Sequence, residues 1–196
     1  MTEDSVSLVR RLLEFWFGAH GDPERGSMRA VWFGKDPAFD ARIREQFYDN
    51  VLEAGRGRLD GLSATADGVL TLLILLDQFP RNLFRNEAQA LAYDGKARAV
   101  ARLAVGMGLD KVLSPVERIF IYLPFEHSEE MEDQIRSVAL FKTLPPVSWR
   151  DEVVDYAIRH HDIIARFGRF PHRNAVLGRT STAEELAFLQ EPGSSF

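Results

Sequence analysis

Apolar residues recur every three or four positions along most of the chain, which is the spacing of an amphipathic helix. Near the start, Val6, Val9, Leu13, Trp16 and Phe17 fall on one face of a predicted helix. We find no segment with the strict apolar and polar alternation of a half-buried strand. The pattern therefore predicts an all-α fold in which short helices, joined by short turns, form antiparallel helical hairpins.

Several local signals predict where the helices begin and end. Asp36-Pro37 has the order of an N-cap residue followed by proline at the first helical position. Residues 114–117 and 182–185 each have the spacing of a capping box. Pro80 and Pro124 predict helix ends, because proline lacks a backbone N–H and clashes with the preceding turn.

Length and composition narrow the class of protein. A chain of 196 residues that is 45% hydrophobic can bury a sizeable core, so we expect a single all-helical domain over residues 1–196. The net charge of −5 argues against non-specific nucleic-acid binding. The longest apolar run, residues 69–76, is far shorter than the roughly 20 residues needed to cross a bilayer. The absence of cysteine excludes thiolate chemistry and suits the cytoplasm, which is the location we expect.

A short polar motif occurs twice, as Phe79-Pro80-Arg81-Asn82 and, one residue longer, as Phe170-Pro171-His172-Arg173-Asn174. Each copy follows a strongly apolar stretch. In one interpretation the two Arg-Asn pairs face one cavity, where guanidinium groups bind a carboxylate or phosphate. In the other, the same side chains bind the unpaired carbonyls at helix ends. The sequence leaves both interpretations open.

A third proline step, Pro124-Phe125-Glu126-His127-Ser128, places a carboxylate next to an imidazole. Glu126 and His127 are candidates for acid and base chemistry, whereas a serine triad is not expected because adjacent side chains point apart. His160 falls on the apolar stripe of its helix, where histidine is more often structural, and Glu126 is its predicted partner. No histidine pair has the spacing of a helical zinc site, so we predict neither metal nor cofactor.

Taken together, these motifs resemble a largely bacterial family of unknown function, DUF 924, over nearly the whole chain. The resemblance rests on Phe15-Trp16-Phe17, Trp32-Phe33-Gly34 and residues 75–82, 123–129 and 167–174. It implies a tetratricopeptide-like, right-handed arrangement of helical hairpins and no known activity. It also covers all the candidate site residues at once, which favours a site over helix capping.

Two functions remain as hypotheses, and the partner differs between them. The first is a site for a small anionic ligand, with Glu126, His127 and His160 in proton transfer. The predicted ligand-binding residues of that site are Asp77, Arg81, Asn82, Ser128, Arg173 and Asn174. The second is a protein or peptide interaction module without catalysis, as in other tetratricopeptide-like folds. The sequence predicts no nucleic-acid or membrane partner and leaves the oligomeric state open.

Overall fold

The computed structural model describes residues 3–19, 21–22 and 25–194. Every regular element in this part of the chain is helical, which confirms the predicted all-α class. The α-helices are α1 (Glu3–Phe17), α2 (Pro37–Gly55), α3 (Ala66–Leu73), α4 (Phe79–Leu83), α5 (Asp94–Gly106), α6 (Pro115–Glu126), α7 (Met131–Lys142), α8 (Arg150–Phe167) and α9 (Ala183–Phe188). Among the residues described, no helix has the length and apolar character needed to cross a lipid bilayer.

Three of the predicted helix starts are confirmed by their side-chain contacts. The Asp36 carboxylate accepts the backbone N–H groups of Ala38 and Phe39, both at 3.0 Å, at the start of α2. Thr182 and Glu185 form a complete capping box at the start of α9. At the start of α6 the Glu117 carboxylate accepts from the backbone N–H of Ser114 at 2.9 Å. Each contact satisfies backbone donors that the helix itself leaves unpaired.

The two internal prolines do not end their helices, so that prediction is wrong. Pro124 lies inside α6, which continues to Glu126. Pro80 lies near the start of α4, and a π-helical turn over Ile74–Gln78 joins α4 to α3 without a break. The Phe79 N–H donates to the Ile74 carbonyl, five residues earlier. The hydrogen-bond ladder therefore shifts by one residue just before a proline, which has no N–H to contribute.

The chain packs as two compact units. The first consists of Met1–Arg85 and Gln89–Pro124, and the second of Asn86–Ala88 and Phe125–Phe196. The prediction of a single domain over residues 1–196 stays a prediction. So does the tetratricopeptide-like arrangement of the hairpins.

The core of the first unit is built from aromatic rings. The Trp16 ring on α1 lies 5.7 Å from Phe39 on α2, 5.5 Å from Phe79 on α4 and 5.6 Å from Phe120 on α6, measured between centroids. Such pairs add to the stabilisation from burying the apolar surface itself. This packing fixes the first residue of the first repeated motif, Phe79, in the core.

The core of the second unit is smaller and contains the first residue of the second motif. Phe170 is fully buried in a cluster with Ile163, Ile164 and Phe188. Helix α8 ends just before it, where Gly168 adopts φ +68° as the C-cap. A left-handed residue at that place is typical of glycine and turns the chain back toward the core. The motif that follows is thereby held against the side of α8.

Among the described glycines of the first unit, Gly68 leaves the least room for a Cβ atom, so it provides a test of this packing. A Cβ atom added at Gly68 in α3 would lie 2.0 Å from the backbone oxygen of Leu62. We expect Gly68→Ala to lower the free energy of unfolding by about 2 kcal/mol or more, because the backbone must shift. The control is Gly95→Ala in α5, where nothing lies within 4 Å of the new atom. Thermal melts should show a lower midpoint for the first variant alone, and equal midpoints would contradict this packing.

Candidate functional site

The first repeated motif is surrounded by carboxylates of its own unit. The Arg81 guanidinium donates two hydrogen bonds to Asp94, both at 3.0 Å, and its Nη1 lies 3.1 Å from Oδ1 of Asp77. Burial opposes the charge of Arg81, but these two carboxylates outweigh it and raise the pKa of the guanidinium. Asp77 is only 1% exposed, so this arginine compensates a buried carboxylate in the π-helical turn.

The next polar residues of this segment contact α2. The Asn82 amide donates to Oδ1 of Asp40 at 2.8 Å, and Arg85 donates to both oxygens of the same carboxylate at 2.6 and 2.9 Å. These contacts join α4 to α2 and favour a structural role for the first copy. The ligand-binding roles of Asp77, Arg81 and Asn82 stay predictions.

The second motif has a different environment. Arg173, which is 9% exposed, donates to the backbone carbonyl of His127 at 2.9 Å. Its guanidinium carbon also lies 4.4 Å above the centre of the Phe170 ring. A guanidinium over an aromatic face is attracted by the negative charge on that face. Arg173 therefore joins the second motif to the segment that carries Glu126 and His127.

Two histidines contact the same aromatic ring, and a third lies beside one of them. The His160 and His172 rings have centroids 5.5 and 5.6 Å from that of Phe170, and the His127 ring lies 6.3 Å from His160. His160 is 4% exposed, whereas His127 and His172 are partly exposed. We call His127, His160, His172 and Arg173 the His-Arg cluster. It brings together two of the sequence-predicted catalytic residues and one predicted ligand-binding residue.

Glu126, the third predicted catalytic residue, lies beside His160. Its Oε1 is 3.5 Å from His160 Nδ1, which confirms the predicted pairing. The same nitrogen lies 2.8 Å from the backbone oxygen of Tyr156. Because a carbonyl oxygen only accepts, this contact assigns the proton of the neutral ring to Nδ1 and leaves Nε2 as the acceptor nitrogen.

The cluster keeps two of its imidazoles neutral near pH 7. Burial lowers the pKa of His160 to about 3, against the opposing effect of the Tyr156 carbonyl, and nearby His127 and Arg173 lower it further. Burial also lowers the pKa of His172 to about 4, with Arg173 acting in the same direction. Without a ligand, both rings are therefore uncharged near pH 7.

Glu129 and Arg179 hold the backbone of Phe170, and neither was among the predicted site residues. Arg179 donates to both oxygens of Glu129 at 2.7 and 2.9 Å. Glu129 accepts the Phe170 N–H at 2.8 Å, and Arg179 donates to the Phe170 carbonyl at 3.1 Å. The sequence offered one signal for them, since both lie within or just beyond the repeated and proline-containing motifs.

Ser128 and Asn174, both predicted ligand-binding residues, contact neighbouring loop residues. The Ser128 hydroxyl donates to Asp133 at 2.9 Å and accepts the Glu130 N–H at 3.2 Å, so it shapes the turn before α7. Asn174 donates to the Ser181 hydroxyl at 3.0 Å. These contacts order the loops around the cluster, and the ligand-binding roles of both residues stay predictions.

Gln134 on α7 is a further residue that sequence reasoning missed. Its amide nitrogen donates to the backbone carbonyls of Glu126 and Ser128 at 2.7 and 2.6 Å. Because the side chain is fully buried, these bonds fix the backbone that presents His127. Nothing in the local sequence distinguishes this glutamine from a surface one, since its partners lie in the turn that precedes the helix.

The described residues contain no group of three or more histidines, aspartates or glutamates placed to hold a metal ion. The His-Arg cluster and the neighbouring Glu126 together present one guanidinium, three imidazoles and one carboxylate.

Comparison with known proteins identifies the family. A family model described as "Bacterial protein of unknown function (DUF924)" matches residues 12–193. The chain belongs to this family. The solved structure of a protein of unknown function from Agrobacterium tumefaciens is similar, with a TM-score of 0.84 and 40% sequence identity over 95% of this chain and 99% of that one. No curated protein shows significant similarity. The DUF924 assignment made from the motifs is thus confirmed.

The ion pair between Arg81 and the buried Asp77 allows a stability test on this DUF924 protein. We expect Arg81→Ala to lower the free energy of unfolding by about 2 to 4 kcal/mol, because it leaves the buried Asp77 without its cation. The control is Arg58→Ala, which removes an exposed ion pair with Glu53 and should have little effect. Urea unfolding compares the two. Equal losses would show that Arg81 has no special structural role.

The neutral imidazole of His160 predicts a pH-dependent stability. The unfolded ring binds a proton below about pH 6.5 and the folded ring only near pH 3, so stability is complete above 6.5 and falls between these values. His160 contributes a slope of about 1.4 kcal/mol per pH unit in that window. His160→Gln should flatten the profile of midpoint against pH, whereas His161→Gln, at a partly exposed ring on the same helix, should not. A wild-type slope in the first variant would contradict the burial argument.

Proposed function

We propose that the second unit binds a small anionic ligand, a carboxylate or a phosphate, at the His-Arg cluster. One observation carries the proposal: a guanidinium and two imidazoles all contact the buried ring of Phe170, and the third imidazole lies beside His160. Basic groups gathered around one buried ring form a geometry suited to an anion. Planar guanidinium groups match the oxygen atoms of both ligand types.

Exposure within the cluster indicates how a ligand would enter. His127 and His172 are partly exposed, while His160 and Glu126 are buried behind them. An anion arriving from solvent would first meet the two outer imidazoles and Arg173. Its reactive part would then face His160.

The pairing of Glu126 with His160 supports proton transfer in the same site. In the assigned tautomer, Nε2 of His160 accepts a proton while the Glu126 carboxylate lies near Nδ1. A carboxylate near Nδ1 stabilises the imidazolium that forms when the ring acts as a base. A bound anion favours the same charged form. His160 is therefore the proposed base, and Glu126 the residue that positions and stabilises it.

The first motif lies outside this proposal. The guanidinium of Arg81 already binds Asp94, and Asn82 and Arg85 already bind Asp40. Asp77 in turn lies within ion-pair distance of Arg81. We propose that these residues stabilise the first unit instead. A cytoplasmic location is part of the proposal, supported by the absence of cysteine.

A protein interaction module is the second candidate function, and one observation favours it. Leu103, Met107 and Val112 are exposed apolar side chains that follow one another along α5 and the turn after it. Exposed apolar patches on a folded protein often mark interaction surfaces. This candidate gains support if no small anion binds.

Thermal shift with a panel of carboxylates, phosphate esters and inorganic phosphate tests the proposed site. A ligand present at 100 times its dissociation constant adds about 2.7 kcal/mol, or roughly 5 to 10 °C for a chain of this size. We expect Arg173→Gln to abolish the shift and Arg166→Gln to retain it. Arg166 is the matched control because it lies in the same unit with an exposed ion pair to Glu184.

Because each shift is measured against the same variant without ligand, a lower starting stability of Arg173→Gln does not affect the comparison. A full shift in Arg173→Gln would overturn the assignment of the site to this cluster. The absence of any shift across the panel would overturn anion binding itself.

A further inference from the structure

We infer that the proposed site takes up protons together with its anion, so that ligand binding converts at least one histidine of the His-Arg cluster to imidazolium. The inference rests on the proposed function and adds how binding at the site is regulated. It makes the affinity for the anion rise as the pH falls.

The formal charges of the two guanidinium groups and two carboxylates around the cluster sum to zero. Arg179 forms a bidentate ion pair with Glu129. Arg173 contacts the backbone of His127, and Glu126 lies beside His160. Protons taken up by the imidazoles would therefore add positive charge to balance an entering anion.

The titratable and charged groups around His160 and His172 come from three segments. Helix α8 contributes His160, whose Nδ1 contacts the Tyr156 carbonyl. The others are Glu126, His127 and Glu129 from the segment before α7, and His172, Arg173 and Arg179 from the segment after α8. Of these groups, the imidazoles are the ones whose unperturbed pKa lies closest to neutral pH.

His172 is better placed than His160 to carry the proton. It is partly exposed, whereas His160 is buried, so charging it costs less desolvation energy. In the ligand-free site burial and Arg173 hold the pKa of His172 at about 4. An opposite charge within contact distance raises the pKa of an imidazole by roughly 1 to 3 units. A bound anion therefore brings His172 into the range where it is partly protonated at pH 6.

Proton uptake also changes what the site can do. An imidazolium that forms only when an anion is bound is a general acid placed next to that anion. His160 and His172, which both contact the Phe170 ring, would then act as base and acid. Binding of the ligand would thus create the general acid of the site.

Isothermal titration calorimetry with sulfate tests the inference. Sulfate keeps its charge throughout the pH range of interest, so every proton taken up belongs to the protein. The titration is run with the full chain at pH 6 in two buffers that differ in ionisation enthalpy. We expect an uptake of about 0.1 to 0.9 proton per sulfate and an affinity that rises by up to about tenfold per pH unit as the pH is lowered.

Two variants identify the histidine that takes up the proton. We expect His172→Gln to lose most of the uptake, and His161→Gln, whose ring pairs with Asp162 outside the cluster, to retain it. Sulfate binding that depends on Arg173 but releases or exchanges no proton would overturn the inference and leave the proposed function intact. Undiminished uptake in the glutamine variants of all three cluster histidines would overturn it as well. Sulfate binding that is unchanged in Arg173→Gln would instead count against the proposed site itself.

Discussion

The arrangement of the second unit depends on how Phe170 is held. Its N–H donates to Glu129, its carbonyl oxygen accepts from Arg179, and those two side chains bind each other. The ring is meanwhile fixed in the apolar cluster with Ile163 and Phe188. With both backbone and ring constrained, Phe170 serves as the fixed surface against which two imidazoles and a guanidinium are placed. Loss of the Glu129 and Arg179 pair would remove the side-chain contacts that hold the Phe170 backbone.

The two copies of the repeated motif show that the same residues take different roles in different surroundings. In the first copy, Arg81 and Asn82 meet carboxylates of their own unit, and these interactions fasten helices together. In the second, Arg173 donates to the backbone carbonyl of His127 and lies over the Phe170 ring, so it joins two segments of the second unit.

The sequence predicted those parts of the structure that depend on neighbouring residues. The helix starts at Asp36 and Thr182 were predictable because a cap and its acceptors lie within three positions. The continuation of the helix through Pro80 was not, because it depends on a π-helical turn in a fully buried segment. The same limit applies to the site. The amphipathic stripe indicated that His160 faces the core, but no local pattern indicates that Gln134 binds the carbonyl of Glu126.

A buried histidine next to an apolar core is stable only while it is neutral. His160 lies among side chains such as Ile164 and Phe170, where an unpaired charge would cost several kcal/mol. A permanently cationic site at this position would therefore oppose folding of the second unit. In the proposed site, neutral His160 and His172 avoid that cost, and the inferred proton uptake would supply positive charge only when an anion is present to balance it. Stability without ligand and attraction for an anion would then be compatible in one cluster.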